Sequence, residues 1–420
     1  MTELTQLVED LYAERERVDR SFFEREAPRL AELCHLMARR FIRGGRLIAF
    51  GTGPAATDAQ HVSVEFVHPV IVGKRALPAM ALANDAASSV GLAVADRTGF
   101  ISHQLSLIAG PEDIGLGMVH GPNDPGQEPV AAALKQAQAV GSLAISLGGP
   151  GVAADGADHV FEVDSDDPYI VQEVHETLYH VLWELVHVFF EHKGLLEDRP
   201  RGSAHDTGKS SFLYPFLAEA ETELEPVLTQ VRNSILQKVD DVISMRNASL
   251  RPQELVETAE LIAGRISSGG KLLIFGNGGS ATDAQDFCVD LVVPPALTGG
   301  GVAVKPIAAL SLTNDAAVVT AVGNDVGFEN IFARQVIAYG KQTDVAVAIS
   351  TSGGSRNVLA AIEEANRRKL LTVGLAGYGG GRMKEICDRT HTIDADYIPR
   401  IQEAQAPQYH VLRTLLGRLV

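Results

Sequence analysis

GGRLIAFGTGPAATDAQH, residues 44–61, returns with few changes as GGKLLIFGNGGSATDAQD at 269–286, an offset of 225 residues. Two further matches extend the pairing. LANDAA at 82–87 reappears as LTNDAA at 312–317, and VQEVHETLYHVL at 171–182 as IQEAQAPQYHVL at 401–412, both 230 residues on. Ordered matches at one long offset mean a duplicated domain, each copy being roughly 190 residues, an ordinary domain size. The second copy carries about five extra residues between Asp290 and Asn314, assigned to Leu297–Val302. The join, GLLEDRPRGSAHDTGKSSFL at 194–213, has linker composition. The expected division is a first domain over 1–195, a linker over 196–213 and a second domain over 214–420.

Within each copy the pattern alternates. A long amphipathic helix is predicted over about 3–43 and again over 214–267. The apolar runs RLIAF and KLLIF follow, each leading into a glycine turn and a second helix. Further strands are predicted in PAMALA, IGLGMVH and SLAISL, and in PIAALSL, DVAVAIS and LTVGLA. Strands that are apolar throughout and alternate with helices indicate a parallel sheet covered on both faces. The fold class is α/β: two tandem doubly wound sheets, each flanked by long first and last helices.

Bulk properties remove several classes. Of 420 residues, 45% are hydrophobic and 21% charged, enough apolar content for two cores. No run approaches eighteen apolar residues, which argues against a membrane span. The acidic, amphipathic start MTELTQLVEDLYAERER does not resemble a secretory signal. Three scattered cysteines, Cys34, Cys288 and Cys387, suggest no disulfide framework and fit a reduced cytoplasmic setting. A net charge of −17 disfavours nucleic acid as a partner. A small anion can still bind where backbone N–H groups converge.

The chemistry-bearing residues divide unequally between the copies. In the second, strand DVAVAI leads into Ser350, Thr351, Ser352, Gly353, Gly354 and Ser355, then a helix. Hydroxyls and free N–H groups at a helix N-terminus make a phosphate cradle; a capped flexible loop is the alternative. The turn Asn277, Gly278, Gly279, Ser280 follows another strand and is placed to close the same pocket. In the first copy the cradle's counterpart is His120-Gly121-Pro122-Asn123-Asp124-Pro125, with no hydroxyls, two prolines and a carboxylate. That copy instead has His61 and Glu65 four residues apart, and Gln172 and His180 eight apart, each pair on one helix face. Such a set suits Zn²⁺ or a similar divalent cation, although a lone buried histidine is commonly structural. The second copy keeps Gln402 and His410 but has Asp286 and Asp290 for His61 and Glu65, a weaker metal set with shorter reach. His175, His187 and His192 read as solvated or structural. Asn84-Asp85 and Asn314-Asp315 read either as helix caps or as sugar-hydroxyl contacts at a strand end.

FGNGGSATDAQ, LTNDAA, VGNDVGFENIFARQV, AISTSGGSRNV and IQE…YH together resemble the bacterial sedoheptulose 7-phosphate (phosphoheptose) isomerases, a branch of the SIS-domain proteins. The resemblance spans nearly all of the second copy and most of the first. It implies an aldose–ketose isomerase that interconverts sedoheptulose 7-phosphate and a heptose 7-phosphate through an enediol. It further implies Glu65 and His180 as the proton-transfer pair, and zinc held by His61, Glu65, Gln172 and His180. Substrate contacts would come from Asn277 to Ser280, Asn314, Asp315, Ser350, Thr351, Ser352, Ser355, Gln172 and Gln402. No single copy has the whole set. The expectation is therefore a composite site joining the first copy's His61, Glu65, Gln172 and His180 to the second copy's cradle. The family's tetramers imply a homodimer of this double-length chain. An isomerase of another ketose phosphate, such as an octulose phosphate, and a non-catalytic sugar-phosphate sensor are the competing readings.

Overall fold

A computed structural model describes residues 2–70, 74–121, 124–152, 155–196, 223–294 and 305–420. The first half runs α1 (Glu3–Ile42), β1 (Leu47–Phe50), α2 (Pro54–Val67), β2 (Ala79–Ala81), α3 (Ala86–Ala95), α4 (Phe100–Ile108), β3 (Ile114–Met118), α5 (Gln127–Ala139), β4 (Leu143–Gly148), β5 (His159–Glu162) and α6 (Pro168–Glu191). The second repeats it as α7 (Leu224–Ser249), α8 (Pro252–Ser267), β6 (Leu272–Phe275), α9 (Gly279–Val292), β7 (Ala309–Ser311), α10 (Ala316–Asp325), α11 (Ile331–Tyr339), β8 (Val345–Ser350), α12 (Arg356–Arg367), β9 (Leu371–Ala376), α13 (Met383–Ile386), β10 (Arg389–Thr392) and α14 (Ile398–Leu419).

Each half has one five-stranded, all-parallel sheet, ordered β2-β1-β3-β4-β5 and β7-β6-β8-β9-β10. Every residue of LIAF and LLIF is buried, as strands covered on both faces require. The chain leaves β1 to one side for β2 and crosses to the other for β3, and likewise around β6. Ligands of such sheets bind beyond the strand C-termini at that reversal. The turn after β6 and the serine loop after β8 both lie there, with Phe275 paired to Ala348.

Eight predicted strands stand as read, and a fifth joins each sheet from HVFE and RTHT. The helix predicted over 214–267 is two helices. It breaks at Leu250 and Arg251, both outside the α-helical backbone region, just before Pro252, because the residue preceding a proline resists helical geometry. Most of the 196–213 linker and all of the Leu297–Val302 insertion lie outside the described residues. No helix among the described residues is long and apolar enough to cross a membrane.

The halves are interleaved rather than strung side by side. Val227, Val231, Ile235, Val239 and Ile243 of α7 belong to the first half's core, whereas Val8 and Tyr12 at the start of α1 belong to the second half's. Each such buried aliphatic side chain contributes about 1.5–3 kcal/mol. The exchange also presses α2 against α9 and α6 against α14. All four helices carry candidate site residues, so packing between the halves decides which side chains meet.

Candidate active site and metal centre

Glycine 53 starts α2 with φ of 58°, and Gly278 starts α9 with the same φ. This left-handed step lets the chain turn off a buried strand straight into a helix. It places His61 and Glu65 one turn apart on α2, with Nε2 of His61 3.7 Å from Oε1 of Glu65. His180 joins them from α6. Donor atoms of His61, Glu65 and His180 all lie within 4.8 Å of one another, and all three residues are buried. The ring orientations come from the second half. Nδ1 of His180 lies 2.8 Å from Oε1 of Glu403, which leaves Nε2 buried without a hydrogen-bond partner; Oε2 of Glu65 is also without one.

Gln172 is not part of this group: its amide donates to Asp58 across 3.3 Å. Gln402 of α14 takes the expected place, with Nε2 3.1 Å from Nε2 of His61 and Oε1 unpartnered. Turning that amide over exchanges its two end atoms and offers an oxygen to the same point. Burial holds His61 well below its ordinary pKa, with His180 reinforcing it; burial and then Arg400 do the same to His180. Burial, with the Glu403 charge behind it, pushes Glu65 up to about 8. Neutral imidazoles are the metal-binding form. Two of them, a carboxylate and an amide oxygen make a four-donor set for Zn²⁺, and the unpartnered buried Nε2 and Oε2 fit such an ion.

The counterpart cluster uses the same scaffold in a different charge state. Asp286, Asp290 and His410 converge within 4.8 Å. Nδ1 of His410 lies 2.8 Å from Glu173 of the first half, and Nε2 lies 3.3 Å from Asp286. The Tyr409 hydroxyl also donates to Asp286, at 3.1 Å. Burial opposes a charge on His410, but hydrogen bonds to Asp286 and Glu173 outweigh it and hold the ring up to about 10. Burial likewise opposes the Glu173 carboxylate, and Arg15 and His410 bring it down to about 2. This cluster is an imidazolium among carboxylates, where His61, Glu65 and His180 are a set of neutral donors.

The serine loop and its first-half counterpart also differ. Ser350, Thr351, Ser352 and Ser355 gather at the start of α12, with the Ser350 hydroxyl 3.5 Å from those of Ser352 and Ser355. Asn277 and Asn357 exchange side-chain hydrogen bonds of 2.9 and 2.8 Å, tying the glycine turn to α12. Gly279 lies against the first half: a Cβ there would fall 1.9 Å from Nε2 of Gln402 and 2.5 Å from Nε2 of His61. Its counterpart Pro54 opens α2. In the first half's eroded loop, Nε2 of His120 lies 2.7 Å from Asp58 where the second half has Ser350. Pro122 and Asn123 lie outside the described residues.

Asp85 and Asp315 cap α3 and α10, accepting from the N–H groups of Ser88 and Val318. Asn314 is exposed beside Asp315. His175 and His187 are buried rather than solvated. Reading the residues missed Glu403 and Glu173, the partners that orient His180 and His410. Their signal was the Glu after each glutamine in VQE and IQE.

The SIS domain profile matches residues 12–147 and 237–377, about two thirds of the chain. The chain belongs to the SIS domain family. Among curated proteins, the phosphoheptose isomerase of Geobacter metallireducens is 38% identical over 196 residues, covering 46% of this chain and 97% of its own length. The phosphoheptose isomerase of Helicobacter pylori is 42% identical over 166 residues, covering 40% and 84%. One relative of this kind therefore corresponds to about half of this chain. The C-terminal domain of glucosamine-fructose-6-phosphate aminotransferase from Francisella tularensis covers 100% of this chain and 96% of its own at 8% identity, with a TM-score of 0.57. That likeness concerns the fold alone.

Proposed function

We propose that this sugar-phosphate isomerase converts sedoheptulose 7-phosphate to a heptose 7-phosphate, in a site that its two halves build together. One contact carries the reading: Gly279, in the turn beside the second half's cradle, abuts His61 and Gln402 so closely that no side chain fits between them. A phosphate held by Ser350, Thr351, Ser352, Ser355 and the N-terminus of α12 would share that turn with the first half's donors, since Asn277 in it bonds Asn357 of α12. The phosphoheptose isomerase names of the relatives support the substrate.

Aldose–ketose isomerisation moves one proton between C1 and C2 and another between their oxygens, through an enediol. Glu65 takes the carbon-bound proton from one carbon and returns it to the other. His180 exchanges the oxygen-bound proton at Nε2, while Glu403 fixes the ring and steadies the imidazolium that forms. A zinc ion held by His61, Glu65, His180 and Gln402 would occupy that same Nε2 and supply Lewis-acid polarisation of the substrate oxygens in place of proton exchange by His180. Gln172 sits on Asp58 and is left out of this set. Asn314, beside the capping Asp315, is left for a sugar hydroxyl.

The assembly proposed is a homodimer. The apolar helices α3 and α10 have no buried residue, with Val90 64% and Val94 85% exposed. A second chain covering both would reproduce a four-domain arrangement, and the mass in solution by light scattering would be twice that of one chain. Three free cysteines fit the reducing cytoplasm.

The test is turnover of sedoheptulose 7-phosphate by wild type, Glu65→Gln and Ser352→Ala. Glu65→Gln is expected to lose roughly 10²–10⁴-fold in kcat. Ser352→Ala should raise KM by about tenfold or more, from one lost hydrogen bond to a charged group. Absence of wild-type turnover ends the substrate assignment. An unchanged KM in Ser352→Ala ends the shared site.

A further inference from the structure

The first half's eroded cradle is not simply closed. His120 stands where the second half has Ser350, and His175 of α6 where it has Gln405. Asp58 of α2 is common to both, as Asp58 and Asp283. Two of the three positions thus differ between the halves, and both differences introduce an imidazole into the first. Donor atoms of Asp58, His120 and His175 all lie within 4.8 Å of one another, and the three side chains are buried, at 4%, 4% and 0% exposure.

An Asp58–His120 ion pair alone does not account for the cluster. It joins Oδ2 of Asp58 to Nε2 of His120 across 2.7 Å. It leaves His175 with both ring nitrogens buried and unpartnered. A buried imidazole ordinarily satisfies at least one nitrogen. The rings of His120 and His175 stand 5.6 Å apart at 52°, tilted rather than stacked. Gln172 donates to the other oxygen of Asp58, the outer hydrogen bond that orients a ligating carboxylate.

We propose that Asp58, His120 and His175 form a second divalent-metal centre, distinct from the His61, Glu65 and His180 cluster, for a cation that accepts two imidazoles and one carboxylate. Zn²⁺ has that preference, with Co²⁺ as its spectroscopic substitute. Donors around a tetrahedral ion bound at 2.0–2.1 Å sit about 3.3 Å apart, so the three groups close in by small rotations. The ion replaces the His120–Asp58 hydrogen bond, displaces one proton and leaves a fourth position for water. Its ligands come from α2, the loop after β3 and α6, so it would tie those three elements together. In this centre the duplicated anion pocket holds a cation.

Cobalt(II) titration of metal-stripped full-length protein tests this, reading equivalents bound per chain and the visible absorption of four-coordinate cobalt. Wild type is compared with H175Q and H120S, which install the residues that the second half has at those positions, and with H61Q. H175Q and H120S are each expected to bind one cobalt fewer per chain than wild type. H61Q is expected to keep the cobalt that those two variants lose, and H61Q/H175Q to lack both. Cobalt binding by H175Q and H120S equal to wild type overturns the proposal, as does loss of all cobalt in H61Q. If H61Q binds as much as wild type while H175Q binds one fewer, this centre stands and the zinc assignment at His61 falls. The two readings thus fail separately.

Discussion

His180 and Glu403 meet across the junction of the two halves, Nδ1 to Oε1 at 2.8 Å, with both side chains fully buried. Their counterparts His410 and Glu173 meet at the same 2.8 Å in the opposite direction. Each last helix therefore orients its neighbour's histidine, and the proposed site draws on both halves. Removing the Glu403 charge should leave the His180 ring in place but free its tautomer. Glu403→Gln is expected to lower zinc affinity or turnover about 10–100-fold, the usual effect of an outer-shell partner. Competition with a zinc-binding dye measures the affinity; an affinity equal to wild type would show that Glu403 does not control the ring.

The second pair makes a pH-dependent contribution to stability. His410 faces Glu173 and, through it, Arg15, together with Asp286 and Asp290. Its folded pKa, about 10, lies above the ordinary value of 6.5. The stabilisation is then complete below pH 6.5 and is lost as pH rises towards and through 10. His410→Gln leaves buried carboxylates uncompensated and should cost about 3–5 kcal/mol near pH 6. The gap from wild type in urea unfolding should shrink steadily from pH 6.5 to 10. A gap that widens with pH would contradict the cationic assignment.

Much of the fold was legible because parallel strands are continuous apolar runs, and LIAF or VAVAIS admits few other readings. HVFE and RTHT were not, since edge strands exposed on one side mix polar with apolar residues. The site was legible up to the point where the halves meet. Periodicity placed Gln172 and His180 on one face of α6, but Gln172 turns to Asp58 while His180 reaches Glu403. Which glutamine reaches His61 depends on how α14 packs across α6, and no spacing within one copy encodes that. The same limit hid Glu403 and Glu173.

The helix exchange can be tested through its far end. Ile235 of α7 is fully buried in the core of the half to which its own sheet does not belong. Ile235→Ala should therefore cost about 2–5 kcal/mol and raise amide exchange in β1 and β3 more than in β6 and β8. Faster exchange confined to the second sheet would mean that α7 serves its own half.

Gly279 offers the sharpest test of the shared site, because its counterpart is a control. Alanine at 279 places a methyl group 1.9 Å from Gln402 and 2.5 Å from His61, contacts that no rotamer relieves without moving one of them. Overpacking of this kind costs about 1–3 kcal/mol in stability, but the larger effect should fall on chemistry. His61 must move while Glu65 and His180, on other turns and helices, stay. Gly279→Ala is expected to lose at least about 100-fold in kcat/KM, the scale expected when a reacting group is displaced by about 1 Å. The matching change in the first half, Pro54→Ala, removes bulk from a turn whose loop lacks the serines of the second half, and should leave turnover within about twofold of wild type. Equal losses in both variants would mean that the turns act through general stability. A loss confined to Gly279→Ala, measured at a temperature where both variants are fully folded, would tie the second half's turn to the first half's imidazole.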